Sequence, residues 1–267
     1  MLFGVLVTMA SVMAAGLAIP ILQRRALYAR LAHSAGQLPM TAALPSFGAV
    51  MSRSVPDFGE RLAVVADFLP ASTFAVVRAQ AERLVGPERS YIPTHKKGGT
   101  VAYETIIPNA PALAALYQSR EMHEFVSRLV GMPVKPTPLY DQSSLSVLCY
   151  DRPGDHIGWH FDHNFYFGRH FTVLLPVVNE GSGAGGLSHA RLTAQVAGGE
   201  LDIATPPNTL VVFEGARVRH KVAPIIENER RLVVSMTYCT DPREGWWQGI
   251  ARRIKDTAFF GIRALWT

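Results

Sequence analysis

Between residues 145 and 240 the chain repeats one pattern: an apolar run too short for a helix, then a polar turn. Leu145, Val147 and Cys149 alternate with Ser146, Leu148 and Tyr150. Residues 171–178 are apolar almost throughout, residues 209–213 are apolar after a Pro206-Pro207-Asn208 turn, and residues 231–240 alternate again after Glu227-Asn228-Glu229. Alternation marks a strand with one buried face, and a short continuous apolar run between turns marks a strand buried on both. Arg152-Pro153-Gly154-Asp155 and the four glycines of residues 179–186 supply further turns. Many short strands after a helical N-terminal region restrict the fold to a mainly β class. The expectation is a double-stranded β-helix, or jelly roll, with supporting helices on one sheet.

The turns carry the chemistry. His160 and Asp162, two residues apart, point to the same side of a strand or extended turn. A third ligand of the same kind, His220, follows the apolar strand of residues 209–213. Two imidazoles and one carboxylate on one face of an octahedral metal leave three positions open, the arrangement of non-haem Fe(II) oxygenases. Arg230 and Arg231 open the last apolar strand. A buried guanidinium there would grip a carboxylate through two parallel hydrogen bonds.

Tyr150, Pro153-Gly154, His160-x-Asp162, Gly185-Gly186-Leu187, His220-x-Val222-x-Pro224 and Arg230-Arg231 together resemble the 2-oxoglutarate/Fe(II)-dependent dioxygenases, within them the prolyl-4-hydroxylase-like group. The resemblance spans roughly residues 140 to 242. It implies Fe(II) on His160, Asp162 and His220, 2-oxoglutarate and O2 as co-substrates, ascorbate as a reductant, and hydroxylated product, succinate and CO2. It also implies a cation for the far carboxylate of 2-oxoglutarate, with Tyr150 as a further hydrogen-bond partner. A gapless reading of the family's H-x-V-x-P run selects Arg230. Strand alternation selects Arg231, because Arg231, Val233, Ser235 and Thr237 would line the interior while Leu232, Val234, Met236 and Tyr238 face an apolar layer; Arg231 is preferred. Trp159, His163, Asn164 and Tyr166 crowd the metal motif and are candidates for the substrate entrance. His156, His170 and His189 read as turn or surface residues, and His123 as a surface or packed one. Where many of these enzymes carry a tyrosine after the metal motif, this chain has Leu175-Pro176-Val177-Val178, so the substrate class does not transfer.

Outside the core the expected divisions are residues 1–23, a transmembrane anchor; 24–56, a linker; 57–133, a helical support region; 134–242, the dioxygenase core; and 243–267, an amphipathic basic C-terminal helix. Residues 1–22 contain no charged side chain and Arg24, Arg25 and Arg30 follow at once. As a helix they would span about 33 Å, the thickness of a bilayer core. The positive-inside rule then places the catalytic domain in the cytoplasm. Residues 60–85 read as two helical segments broken near Leu69-Pro70, residues 90–105 as a loop, and residues 110–130 as one helix. The His95-Lys96-Lys97-Gly98-Gly99 stretch reads as a solvated connection or a lid. Net charge is +5, but the basic residues cluster near the two ends, which suits a membrane lipid surface and not nucleic acid. Cys149 and Cys239 read as reduced core residues, with a bridge between them as the alternative.

The function these readings favour is hydroxylation of a small-molecule or membrane-associated, lipophilic substrate. The alternatives are a catalytically silent membrane-bound jelly-roll scaffold and a Zn- or Mn-bound cupin-like protein.

Overall fold

The computed structural model describes residues 19, 22–34, 44, 46–84, 88–92, 96–138, 140–261 and 264. Twelve strands form one continuous antiparallel sheet that curls on itself: β1 (Leu62–Val65), β2 (Glu88–Ile92), β3 (Lys96–Val101), β4 (Lys135–Pro136), β5 (Leu145–Tyr150), β6 (His156–His160), β7 (His170–Glu180), β8 (Leu192–Val196), β9 (Gly199–Ile203), β10 (Leu210–Phe213), β11 (Arg219–Val222) and β12 (Arg230–Cys239). Their order is β1-β10-β7-β12-β5-β3-β6-β11-β8-β9, with β2 on β3 and β4 on β12. β3 joins the two halves, since it pairs with both β5 and β6.

Strand alternation sorts the side chains into two cores. Leu232, Val234, Met236 and Tyr238 of β12 join Val147 of β5 and Val173 of β7 under the helices. Val233, Leu174, Phe213 and Tyr150 pack inside the curl with Leu192 and Val222 of the opposite half. The helical layer is α2 (Ala71–Arg83), α3 (Tyr103–Asn109), α4 (Pro111–Gln118) and α5 (Arg120–Val130). The last two replace the single helix expected over residues 110–130. Ser119 interrupts it with an extended backbone, and its hydroxyl accepts from Met122 N to cap α5.

Three other expectations need correction. Residues 62–65 form an edge strand and not a helix, because Val64-Val65 suits a pleated surface as well as it suits helix spacing. Residues 88–92 and 96–101, read as a loop, form the hairpin of β2 and β3. From the last two residues of the expected anchor into the stretch read as a linker, residues 22–34 are helical (α1); Leu31 is buried, Tyr28 accepts a hydrogen bond from Gln142 Nε2 at 2.9 Å, and Arg24 pairs with Glu104. Among the described residues no helix is long and apolar enough to cross a membrane. Most of the anchor expected over residues 1–23 lies outside the described residues.

Two bulges adjust the sheet. On β7, Leu232 faces Val178 but Val233 faces Pro176, so Val177 is the extra residue. Proline has no N–H to give to a ladder, and the phase changes beside it. On β6, His220 faces His160 but Val222 faces Ile157, so one residue of Gly158-Trp159 is extra. The two cysteines are buried and unbridged.

The C-terminal helix α6 (Trp246–Phe260) packs with its polar side inward. Arg252 and Asp256 are buried and paired at 3.3 Å, and Arg252 also reaches Glu244 at 3.2 Å and the Tyr140 carbonyl at 2.9 Å. The apolar side faces out: Trp246 is 78% exposed, Trp247 64% and Ile254 62%.

Candidate active site

The inner core opens into a cavity enclosing about 1070 Å³ of space, solvent at its mouth included. His160, Asp162 and His220 line it, with one ligand atom from each within 4.8 Å of the others. The β6 bulge sets this up. Strict alternation from Ile157 would turn Trp159 inward; the extra residue turns His160 inward, directly across from His220. Trp159 instead lies outside the cavity, under Lys221 at 4.4 Å and Arg219 at 5.4 Å from its ring centre.

Hydrogen bonds aim the ligand atoms. His160 Nδ1 donates to the Gly158 carbonyl at 2.8 Å and His220 Nδ1 to the Val218 carbonyl at 3.0 Å. Each Nε2 is therefore the ring nitrogen turned toward Asp162 and the one that could ligate a metal. These nitrogens lie 3.5 and 3.7 Å from Asp162 Oδ1. The other oxygen, Asp162 Oδ2, accepts from Thr172 Oγ1 at 2.5 Å, which leaves Oδ1 for a cation. The turn holding Asp162 is tied to Gly215, whose carbonyl accepts from Asp162 N at 3.0 Å. A Cβ on Gly215 would fall 2.3 Å from Asp162 Oδ2, so only glycine leaves the carboxylate its place.

Burial pushes the Asp162 carboxyl up, but His220, His160 and the Thr172 hydroxyl outweigh it and hold it well below the usual carboxylate range. Burial lowers His220. On His160 burial is outweighed by Asp162, so its value is raised. Asp162 is thus held ionised and His220 neutral, while His160 would give up a proton to a bound cation.

A buried cation lies elsewhere in the same cavity. Arg231, 1% exposed, stands across from Tyr150 with its guanidinium 5.3 Å from the tyrosine ring centre. Arg231 Nε and Nη2 and the Tyr150 hydroxyl are buried with no hydrogen-bond partner among the described residues. Burial lowers the arginine and pushes the tyrosine up to about 12. Arg230 faces outward, 3.8 Å from Glu82 of α2. Of the four residues expected at the entrance, only His163 lines the cavity, stacked on Phe165 at 5.8 Å. Asn164 folds back on its own turn, bonding the Gly168 carbonyl and Tyr166 N, and the Tyr166 hydroxyl donates to Asp141 Oδ2 at 2.7 Å.

The sequence reading missed several lining residues. His170, read as a turn or surface residue, is buried against Tyr166 and lines the cavity, with its value lowered by burial. Thr172 is the one polar residue among the apolar positions 171–178, a signal that could have been used. Lys96 and Thr100 of β3 and Lys255, Phe259 and Phe260 of α6 also line the cavity. His123, by contrast, is packed, against the Tyr238 ring at 5.7 Å and the Tyr117 carbonyl at 3.1 Å.

The Halogenase D family profile matches residues 52–195, more than half of the chain. The chain belongs to the Halogenase D family. The matched stretch includes Lys96, Tyr150, His160 and Asp162 and ends before His220 and Arg231. No curated protein matches the chain in sequence. Solved structures share the fold. The non-heme alpha ketoglutarate dependent epimerase SnoN from nogalamycin biosynthesis aligns with a TM-score of 0.56 at 16% identity over 74% of this chain and 81% of its own. A 2OG-Fe(II) oxygenase family oxidoreductase from Burkholderia pseudomallei gives 0.51 at 14% identity over 80% and 92%. A prolyl hydroxylase from Trichoplax adhaerens, in complex with a hypoxia inducible factor peptide fragment, gives 0.51 at 16% identity over 68% and 84%. The fold is that of the 2-oxoglutarate/Fe(II) oxygenases, prolyl hydroxylases included.

Proposed function

We propose that this protein is an Fe(II)- and 2-oxoglutarate-dependent oxygenase that hydroxylates a C–H bond of a small or membrane-associated substrate. The observation carrying this reading is the pairing of two features in one cavity. His160 Nε2, His220 Nε2 and Asp162 Oδ1 converge within it, and a buried guanidinium that pairs with no carboxylate among the described residues lines it. The donor set fits Fe(II), because two imidazoles and one carboxylate form a facial triad. The orphaned donors of Arg231 and Tyr150 fit the far carboxylate of 2-oxoglutarate, which would complete their hydrogen bonds. When bound, iron with 2-oxoglutarate and O2 supplies the oxidising chemistry, releasing succinate and CO2. The chain's own residues orient these groups: Thr172 and Gly215 fix the carboxylate, the Gly158 and Val218 carbonyls fix the imidazole tautomers, and Leu174, Phe213, Val222 and Val233 exclude water.

The family name raises halogenation as a second outcome. Asp162 argues for hydroxylation. With a carboxylate as well as two imidazoles to hold it, an iron bound here would keep room for 2-oxoglutarate and O2 but not for a halide in addition. Product analysis in chloride-containing buffer should therefore give hydroxylated and not chlorinated material.

The same reading places the enzyme at the cytoplasmic face of a membrane. It is supported by the charge-free residues 1–22 and by the outward row of Trp246, Trp247, Ile250 and Ile254 with exposed Arg253 beside it. Flotation with phosphatidylcholine/phosphatidylserine vesicles tests it; a Trp246→Ser/Trp247→Ser double variant that floats as well as the parent refutes a lipid role for α6.

The enzymatic test is succinate formation with Fe(II), ascorbate and 2-oxoglutarate under air. His160→Ala, Asp162→Ala and His220→Ala should each abolish it with the fold retained by circular dichroism. Full activity in any of the three refutes the metal-site assignment.

A further inference from the structure

The cavity holds a second buried cation, and 2-oxoglutarate cannot neutralise both. Of its two carboxylates one belongs at the metal and the other at Arg231, which leaves Lys96. This residue opens β3 opposite Ile157 and is 6% exposed. Its Nζ donates to Thr100 Oγ1 at 2.8 Å and lies 5.0 Å from the centre of the Phe259 ring. Among the described residues no carboxylate pairs with it. Lys255, the other lysine lining the cavity, is already paired, 2.7 Å from Asp256 and 3.6 Å from Asp141.

A buried ammonium without an anion is unfavourable, because desolvation is not repaid by a paired charge. Burial, helped by the charge of Lys255, lowers the Lys96 amine to about 8, which still leaves it mostly protonated at neutral pH. A second observation points the same way. His170 Nδ1 lines the same cavity, buried and without a partner among the described residues. The apolar groups Leu148, Phe161 and Phe259 line the same cavity. It therefore offers an ammonium with no carboxylate paired to it among the described residues, a buried ring nitrogen and aromatic surface.

We propose that the substrate is an amphiphile with a carboxylate, seated as the counter-ion of Lys96 with its apolar part against Phe161 and Phe259. The proposal rests on the oxygenase reading only for the assignment of Arg231 to 2-oxoglutarate.

The test uses the full chain with Fe(II) and saturating 2-oxoglutarate under anaerobic conditions, so that Arg231 is occupied. Decanoate and decanol, which share one alkyl chain, are titrated calorimetrically. Decanoate should bind at least about tenfold more tightly than decanol, and Lys96→Met should remove that preference while leaving decanol binding alone. The visible charge-transfer band of the Fe(II)–2-oxoglutarate complex should persist in Lys96→Met. Equal decanoate affinity in parent and variant, no preference for decanoate in the parent, or loss of the band in the variant would each overturn the proposal. The last result would assign Lys96 to 2-oxoglutarate instead. Absence of the band in the parent protein is a different failure, that of the oxygenase reading itself.

Discussion

Replacing Arg231 by methionine should separate structural from ligand-binding roles by the opposite signs of two measurements. The side chain is 1% exposed, and Nε and Nη2 have no partner among the described residues. Methionine fills similar space without the charge. In the ligand-free protein the substitution removes a desolvated cation that Tyr150 compensates only in part, so stability should stay level or rise by roughly 1–4 kcal/mol. In the 2-oxoglutarate complex it removes two charge-assisted hydrogen bonds, each worth about 1.5–3 kcal/mol. Affinity for 2-oxoglutarate should then fall by about 10²- to 10⁴-fold. Urea denaturation of the apo protein gives the first quantity, and anaerobic titration of the Fe(II) charge-transfer band gives the second. Arg230→Met is the control, because Arg230 is half-exposed and 3.8 Å from Glu82, a surface pair worth at most about 1 kcal/mol; both measurements should stay at the parent value. An Arg231→Met protein that loses about 2 kcal/mol of apo stability and binds 2-oxoglutarate within threefold of the parent would refute the reasoning and make Arg231 a structural residue.

Gly215→Ala should displace the Asp162 carboxylate, given the 2.3 Å approach of the added methyl group, and weaken Co(II) binding by about 10- to 100-fold, as losses around a metal ligand do; unchanged Co(II) affinity would show that the turn relaxes. Lys96 should make apo stability pH-dependent. Burial favours its neutral form and lowers it from 10.5 to about 8, so the unfolded chain binds more protons between these values. Stability should rise with pH across that window, by no more than about 1.4 kcal/mol per unit, and Lys96→Met should flatten the rise in urea denaturation curves. Ser119→Ala removes the cap of α5 and should cost about 1 kcal/mol, measured as a shift in urea midpoint with an unchanged slope.

How much of this was legible in the sequence depends on what fixes each residue. Arg231 was readable because β12 alternates without interruption, so its neighbours Val233, Ser235 and Thr237 and the opposing Leu232, Val234 and Met236 sort themselves onto two faces. That His160, Asp162 and His220 come together was readable from the two-residue spacing of the first pair, the apolar strand before His220 and the family resemblance. Trp159 misled because a bulge has no period: one extra residue in β6 exchanges the faces of Trp159 and His160, and pairing with β11 decides it. Lys96 was hidden because Lys-Lys-Gly-Gly looks like a solvated turn. Its burial follows from β3 bridging the two halves of the sheet, a relation between segments distant in the chain. The C-terminal helix was legible as amphipathic but not in its orientation. Tryptophan outward and arginine inward reverses the usual rule, and the acids that draw Arg252 and Lys255 inward include Asp141, more than a hundred residues away.

The extra residue in β7 also bears on how this chain can change over evolutionary time. Ahead of Val177, Thr172 steadies the Asp162 carboxylate; after it, Asn179 anchors the following loop by accepting from Ser188 N and Oγ at 3.1 and 2.6 Å. Both face the cavity side, opposite Thr237 and Arg231, although they are seven residues apart, an odd number that regular alternation would put on opposite faces. The bulge at Val177 absorbs the odd residue. Deleting Val177 would leave an even spacing, so a regular strand would keep both side chains inward and only the bulge would be lost. Homologues should therefore carry either this bulge or a β7 one residue shorter, with the two polar side chains on the same face in both.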